Sequence, residues 1–311
     1  MAEEMQAVRL ERYRDEDGLR LAATERPVPG PGEVLVRVRA AGVNPVDWKI
    51  ADGFGEFLGL TPPLTLGCEL AGDVAAVGEG VDAFAVGEPV FGYVSLERCG
   101  CYAPYVIAMP TEIARKPEEL SYAEAAAVPV AGETAWQALV ETARLAAGER
   151  VLIHAAAGGV GSVGVQLARS LGATVIGTAS ARNEDFVRGL GADGFVDYTA
   201  GPFEDAVEPV DVVFDTVGGD TLRRSFNVLR PGGRLVSIVE VPDPDWADQA
   251  EVSAEMIAVL PEGAQLAELA AMMSRGELRV HVARRYRLAE ALDALAESRS
   301  GHVRGKLVVE P

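Results

Sequence analysis

The sequence predicts an α/β chain of two domains, and three observations predict it. The N-terminal third alternates apolar and polar residues between Gly and Pro punctuation, as a β-rich region does. Beyond about Ser121, short aliphatic runs alternate with helical patterns, which describes a doubly wound parallel sheet covered on both faces. The 311 residues, 49% of them hydrophobic, can bury one large core or two ordinary ones, and two domains are expected.

In the β-rich region "EVLVRVRAAGVNPVD", "LGCELAGDVAAVGEGV" and "GEPVFGYV" read as strands. Ser121 then stands as an N-cap with Glu124 three residues on, opening an Ala-rich helical stretch. Aliphatic runs follow at 151–155, 174–179, 194–198, 211–216 and 234–239, with helices at 161–171, 183–191 and 220–229 between most of them. "EMIAVL" and the helix "GAQLAELAAMMSRG" are expected to close that sheet, and "AEMIAVLPEG" also offers an edge strand for a homodimer, although an edge alone does not make one. The tail holds a strand, a helix and a strand outside the series and is assigned back to the first domain. The expected domains are therefore 1–125 completed by 277–311, and 126–276.

With 47 acidic against 28 basic side chains the formal charge is −19, which repels nucleic acid and anionic membranes, so neither is an expected partner. Cys68, Cys99 and Cys101 are too few and too irregular for a disulfide framework and fall short of a four-thiolate zinc lobe. They fit a reducing compartment. The N-terminus is charged from its start and no run of about twenty apolar residues occurs, so a soluble cytoplasmic protein is expected.

One stretch carries the functional signal. In "VLIHAAAGGVGSVGVQLAR" an aliphatic strand runs into residues with almost no side chain and then into a helix. A strand, a small-residue turn and a helix N-terminus together bind a dinucleotide pyrophosphate, because backbone amides face the anion and any sizeable side chain would block it. The loop reads Ala156-x-Gly158-x-x-Gly161, with Ala in place of the usual first Gly; the alternative is that small residues merely let the helix sit close on the sheet. NAD-binding chains place Asp or Glu about twenty residues further on. Here stand Ser180, Ala181 and Arg182, a hydroxyl and a guanidinium that suit a 2′-phosphate, so NADPH is favoured over NADH unless Arg182 is simply a solvated helix start.

The chain resembles the medium-chain dehydrogenase/reductase superfamily, and within it the zinc-independent quinone oxidoreductases, zeta-crystallin-like proteins that include alkenal reductases. The resemblance rests on "AAGVNPVDWK", "LGCELAGDVAAVG", "AGETAWQAL", "HAAAGGVGSVGVQLAR", "DTVGG", "LRPGGRLV" and "GHVRGKLVV", in the expected order over nearly the full length. It implies a GroES-like β-rich catalytic domain and a Rossmann domain, with the active site in the cleft joining them. At the positions of the zinc ligands in metal-dependent members stand Asn44, Cys68 and Val130, so no metal is expected, and the three cysteines read as packing. His154 reads as a core or loop-anchoring imidazole. In the resembled group an "N-x-x-D-x-Y" stretch lines the substrate pocket. Asn44 matches the Asn, Lys49 replaces the Tyr and stands either as a donor to the substrate oxygen or on the cofactor side, and Asp47 holds neighbouring groups. Tyr93, Tyr102 and Tyr105 are either proton donors or packing. The resemblance further implies Thr134 near the nicotinamide, Ala156, Gly158, Gly159, Val160 and Gly161 at the pyrophosphate, Ser180, Arg182 and Tyr198 at the 2′-phosphate, and Val217 and Gly218 at the ribose. Lys306 is expected at the cofactor unless "RGK" is a solvated turn.

The activity implied is hydride transfer from NADPH to a quinone or to the C=C bond of an α,β-unsaturated carbonyl, with Asn44 and Lys49 stabilising the oxyanion. Two rivals are a free-standing enoyl reductase of polyketide or fatty-acyl assembly, and an NADPH-binding structural or sensing protein without useful turnover.

Overall fold

A computed structural model describes residues 3–15 and 17–311. In chain order the strands are β1 (Glu4–Leu10), β2 (Leu19–Glu25), β3 (Val34–Val43), β4 (Leu64–Thr65), β5 (Glu69–Val77), β6 (Pro89–Tyr93), β7 (Tyr105–Ala108), β8 (Ile113–Arg115), β9 (Arg150–Ile153), β10 (Thr174–Ala179), β11 (Gly194–Asp197), β12 (Val210–Asp215), β13 (Leu229–Ser237), β14 (Ser253–Met256), β15 (Val282–Arg287) and β16 (Lys306–Glu310). The helices are α1 (Pro45–Lys49), α2 (Gly55–Phe57), α3 (Tyr122–Ala126), α4 (Pro129–Trp136), α5 (Gly159–Ser170), α6 (Glu184–Gly189), α7 (Gly219–Ser225), α8 (Pro244–Ala250), α9 (Gly263–Ser274) and α10 (Ala291–Arg299). The chain divides into two compact units, Met1–Val130 with Leu260–Gly276 and Val280–Pro311, and Ala131–Val259 with Glu277–Arg279.

The first unit holds a three-stranded sheet, β2-β1-β4, and a seven-stranded mixed sheet, β15-β16-β3-β5-β6-β8, with β7 also paired to β3. Its centre is β3, where only Arg37 and Arg39 are exposed. Val36, Val38, Leu70, Val74, Val90, Ile113, Leu307 and Val309 pack into one core. Strand register also gathers polar residues that are remote in sequence. Gly42 lies opposite Glu69 on β5, and Val43 lies opposite Leu307 on β16. Asn44, just past Val43, and Lys306, just before Leu307, therefore come together with Glu69 although the chain separates them widely.

The second unit is a six-stranded sheet in the order β11-β10-β9-β12-β13-β14, and every pair is parallel. Counted from β9 this is the 3-2-1-4-5-6 order of a doubly wound dinucleotide-binding sheet, whose ligand crevice lies at the C-terminal ends of the strands where the order reverses. The aliphatic runs supply the reason, since Leu152, Ile176, Val213 and Leu235 are all core residues. Ser121 caps α3 as expected, accepting from the Glu124 amide.

Two expectations are corrected. The helix α9 does not close the parallel sheet; it packs on β8 of the first unit. A Cβ at its first residue, Gly263, would sit 2.8 Å from the Ile113 carbonyl oxygen, so the helix start lies directly on that backbone. Its buried stripe, Leu266, Leu269, Ala270, Met272 and Met273, says that a sheet covers it but not which one. The boundary also falls after Val130 rather than after residue 125, because α3 packs on β3 and β5.

Candidate active site

The second unit presents a corner built from backbone. After β9 the chain is stitched to both neighbouring strands, His154 N donating to Phe214 O at 3.1 Å and Ala156 N to Thr178 O at 2.9 Å. The tight turn between them falls on Ala155, at φ 46°. Gly158 then caps α5. The amides of Gly159, Val160 and Gly161 form its first turn, where a helix supplies no acceptor of its own. A Cβ on Gly161 would lie 2.9 Å from the Ala156 Cα and nearer still to the Ala155 carbonyl oxygen, so the corner closes only without one. The Ala at position 156 has its own compensation: a Cβ on Gly177 of β10 would meet the Ala156 Cβ at 2.8 Å, so the missing side chain has moved to the next strand.

His154 holds this corner from behind. Ser225 Oγ donates to Thr221 O, so the ring Nε2 at 2.9 Å donates to Ser225 and Nδ1 at 3.0 Å accepts from Thr178. Burial pushes its pKa down to about 3, and Phe203 packs edge-on against the ring. The imidazole is a neutral anchor.

Ser180 and Tyr198 each follow the last residue of adjacent strands, and Ala179 pairs with Asp197, so the register sets them side by side. Tyr198 is 52% exposed and Arg182 is exposed beside them. At the end of β12 the Asp215 carboxylate gathers the amides of Val217 and Gly218 at 3.1 and 3.0 Å and the Ser237 hydroxyl at 2.8 Å. Gly218 takes φ 78° and ψ −168°, which a side chain would not tolerate. Thr134 is buried on α4.

The first unit presents side chains instead. Glu69, fully buried on β5, accepts from Val130 N at 2.9 Å, from Asn44 Nδ2 at 2.8 Å and from the Lys306 ammonium. Lys306 Nζ also donates to Asn44 Oδ1 at 2.5 Å. Gly42 makes the room, since a Cβ there would meet the Glu69 Cδ at 2.5 Å. Asp47 accepts from Asn44 N at 2.8 Å and from the Tyr102 hydroxyl at 2.6 Å, and burial pushes its pKa up to about 7. Lys306, expected at the cofactor, thus has its ammonium on Asn44 and Glu69, and Asn44, expected to face substrate, is itself held by both. Neither Glu69 nor this pairing was among the expected site residues. Lys49 is half-buried at the end of α1, its Nζ 5.7 Å from the Trp48 ring centre. Tyr102 is buried against Asp47, Tyr93 is buried, and Tyr105 carries Arg26 over its ring.

This donor set does not fit zinc. Asn44 offers Cys68 an amide donor at 3.9 Å and Val130 has no ligating side chain, so one thiol stands where three ligands are needed; burial raises the pKa of that thiol well above its ordinary value. Cys99 is pushed up to about 12 and Cys101 well up, also by burial. The Lys306 ammonium already supplies the cation beside Glu69.

Residues 30–118 match the family described as alcohol dehydrogenase GroES-like domain, and residues 190–309 the one described as zinc-binding dehydrogenase. The chain is 32% identical to the mitochondrial NAD(P)H oxidoreductase RTN4IP1 of Danio rerio, over 90% of this chain and 84% of that one. The chain belongs to the medium-chain dehydrogenase/reductase superfamily. Like its members, this dehydrogenase/reductase is an oxidoreductase, and its six-stranded unit is of the kind that takes a nicotinamide cofactor. It resembles the solved quinone oxidoreductase of Coxiella burnetii at a TM-score of 0.93 and 36% identity, covering 99% and 100% of the two chains. It is also 40% identical to the spectinabilin polyketide synthase system protein NorB of Streptomyces orinoci, over 90% of this chain but 13% of that much longer one.

Proposed function

We propose that the chain is a zinc-independent, NADPH-dependent reductase of quinones or of the C=C bond of α,β-unsaturated carbonyls. The observation that carries this reading is the pairing of a tight corner, which closes under the first turn of α5 only because Gly161 and Gly177 carry no side chain, with Ser180, Arg182 and Tyr198 at the ends of β10 and β11. The place of the acidic ribose-binding residue is taken by a hydroxyl and a guanidinium. Bound there, the dinucleotide supplies a hydride. Asp215 fixes the Val217-Gly218 turn so that backbone rather than side chain meets the ribose. In the first unit, Asn44 and Lys49 offer hydrogen-bond donors to the oxygen that gains charge as hydride adds at a conjugated carbon. Such charge sits on an oxygen distant from the reacting carbon and is stabilised by donors, without the Lewis acid that alcohol oxidation demands.

The 40% identity to a polyketide synthase protein favours one second reading, reduction of enoyl thioesters by the same chemistry. Both readings are tested by following NADPH and NADH consumption side by side against quinones, 2-alkenals and enoyl thioesters. Faster turnover with NADH sinks the 2′-phosphate assignment, preference for thioesters selects the second reading, and tight NADPH binding with no turnover of any acceptor overturns both.

A further inference from the structure

The polar cluster of the first unit leaves one strong donor without a strong acceptor. Asn44 Nδ2 carries two hydrogens; one goes to Glu69 Oε1 at 2.8 Å, and the other has, among the described residues, only the Cys68 sulfur at 3.9 Å. A thiol sulfur is a weak acceptor, so a substrate oxygen beside Cys68 displaces it. The facing of the amide is dictated by its neighbours. An ammonium only donates and a carboxylate only accepts, so Oδ1 must meet Lys306 and Nδ2 must meet Glu69. The reversed amide would set N–H against N–H and oxygen against oxygen.

The charges constrain the site as tightly as the geometry. A negative charge developing on an oxygen held by Asn44 arises close to the fully buried Glu69 carboxylate, and like charges in a low-dielectric interior repel strongly. Lys306, 5% exposed and bonded to both Glu69 and Asn44, is the cation on hand to cancel that repulsion. Resting on the reductase reading, we propose that Lys306 is a positioning residue for the reduction: it fixes the facing of Asn44 and neutralises Glu69, so that charge can build on the substrate oxygen. It acts through Asn44 and does not itself hold the cofactor.

The test compares wild type, K306M and E69Q/K306M, the last removing both charges together. With Asn44 acting as an oxyanion donor, K306M is expected to lower kcat about 100-fold. Its NADPH Kd, from a fluorescence titration, should stay within about threefold of wild type, and E69Q/K306M should recover kcat to within about tenfold of wild type. A separate reading needs no turnover. Glu69 loses a charged partner in K306M, so the infrared difference spectrum of K306M against wild type should show a displaced carboxylate band of Glu69, absent from E69Q/K306M. That band decides the Glu69–Lys306 relation even where wild type reduces no acceptor offered, the outcome that would overturn the function and not this pairing. The inference fails on an unchanged kcat in K306M, a weakened NADPH affinity in its place, an undisplaced carboxylate band, or a double variant no faster than K306M. Should K306M not fold, the double variant decides, and a kcat loss beyond about tenfold there overturns the proposal.

Discussion

The two units of this dehydrogenase/reductase put polar atoms where a ligand can use them by opposite means. In the second unit the atoms are backbone amides, and the corner that carries them closes because Gly161 and, on the neighbouring strand, Gly177 have no side chain. In the first unit the atoms belong to side chains, Asn44, Asp47, Glu69 and Lys306, all buried and each answerable to another. The difference teaches where fragility lies. A backbone site is present in every chain and is lost by adding an atom, whereas a side-chain cluster is lost by taking one away.

The sharpest way to break that contrast is Glu69→Ala. It leaves the Lys306 ammonium in the interior without its carboxylate, and removing one partner of a buried pair is expected to destabilise the first unit by about 3–5 kcal/mol. Urea unfolding measures it, and a cost below about 1 kcal/mol would mean that the cluster is solvated like a surface pair. The reciprocal change, Gly161→Ala, adds one methyl against fixed backbone, with no rotamer to relieve it. A cost of about 1–3 kcal/mol is expected. Because the first-turn amides must shift, NADPH Kd should rise at least about tenfold. Ala156→Gly, which restores the usual fingerprint, should instead lose about 0.5–1 kcal/mol, since Ala156 has no positive φ for Gly to relieve and Gly177 already makes its room.

The same contrast explains what was legible. The parallel sheet, its order of strands and helices, and the corner at 155–161 are local: a continuous apolar run, then small residues, then a helix, all within about twenty positions. The cluster is not local. Lys306 reaches Asn44 across 262 positions, and only the register of β16 on β3, and of β3 on β5, brings it there. Glu69, inside "LGCELAGD", looks like any acid in a strand, and the one signal that pointed at it was Gly42, a glycine in a strand interior with no turn to make. The placement of α9 was illegible for a simpler reason, since an apolar stripe does not name the sheet that covers it.

Titration sharpens the comparison further, because each unit buries a group whose proton uptake between about pH 4 and 6.5 changes on folding. His154, held to about 3, stays neutral when folded while the unfolded ring charges below about 6.5, so its contribution is whole above that pH and is lost as pH falls. Asp47 runs the other way. Raised to about 7, it keeps its proton when folded, so its contribution is whole below about 3.8 and is lost as pH rises through 7. Between about pH 4 and 6.5 the two slopes, each about 1.4 kcal/mol per pH unit, oppose one another. The unfolding free energy of His154→Asn, from denaturation, should therefore fall more steeply than that of wild type as pH rises through that window, and that of Asp47→Asn more steeply as pH falls. Parallel profiles for all three proteins would place both groups in contact with water.

The smallest expected effect separates the corner from its rim. Arg182 is exposed, and an exposed guanidinium gives up little of its attraction for a phosphate to burial but much of it to solvent and salt. Arg182→Ala is therefore expected to weaken NADPH by only about fivefold and NADH not at all, with the gap closing as salt is raised. The measurement is a pair of fluorescence titrations at low and high ionic strength. An equal loss for both dinucleotides would move Arg182 from the 2′-phosphate to the shared diphosphate, and would leave Ser180 and Tyr198 as the groups that tell the two cofactors apart.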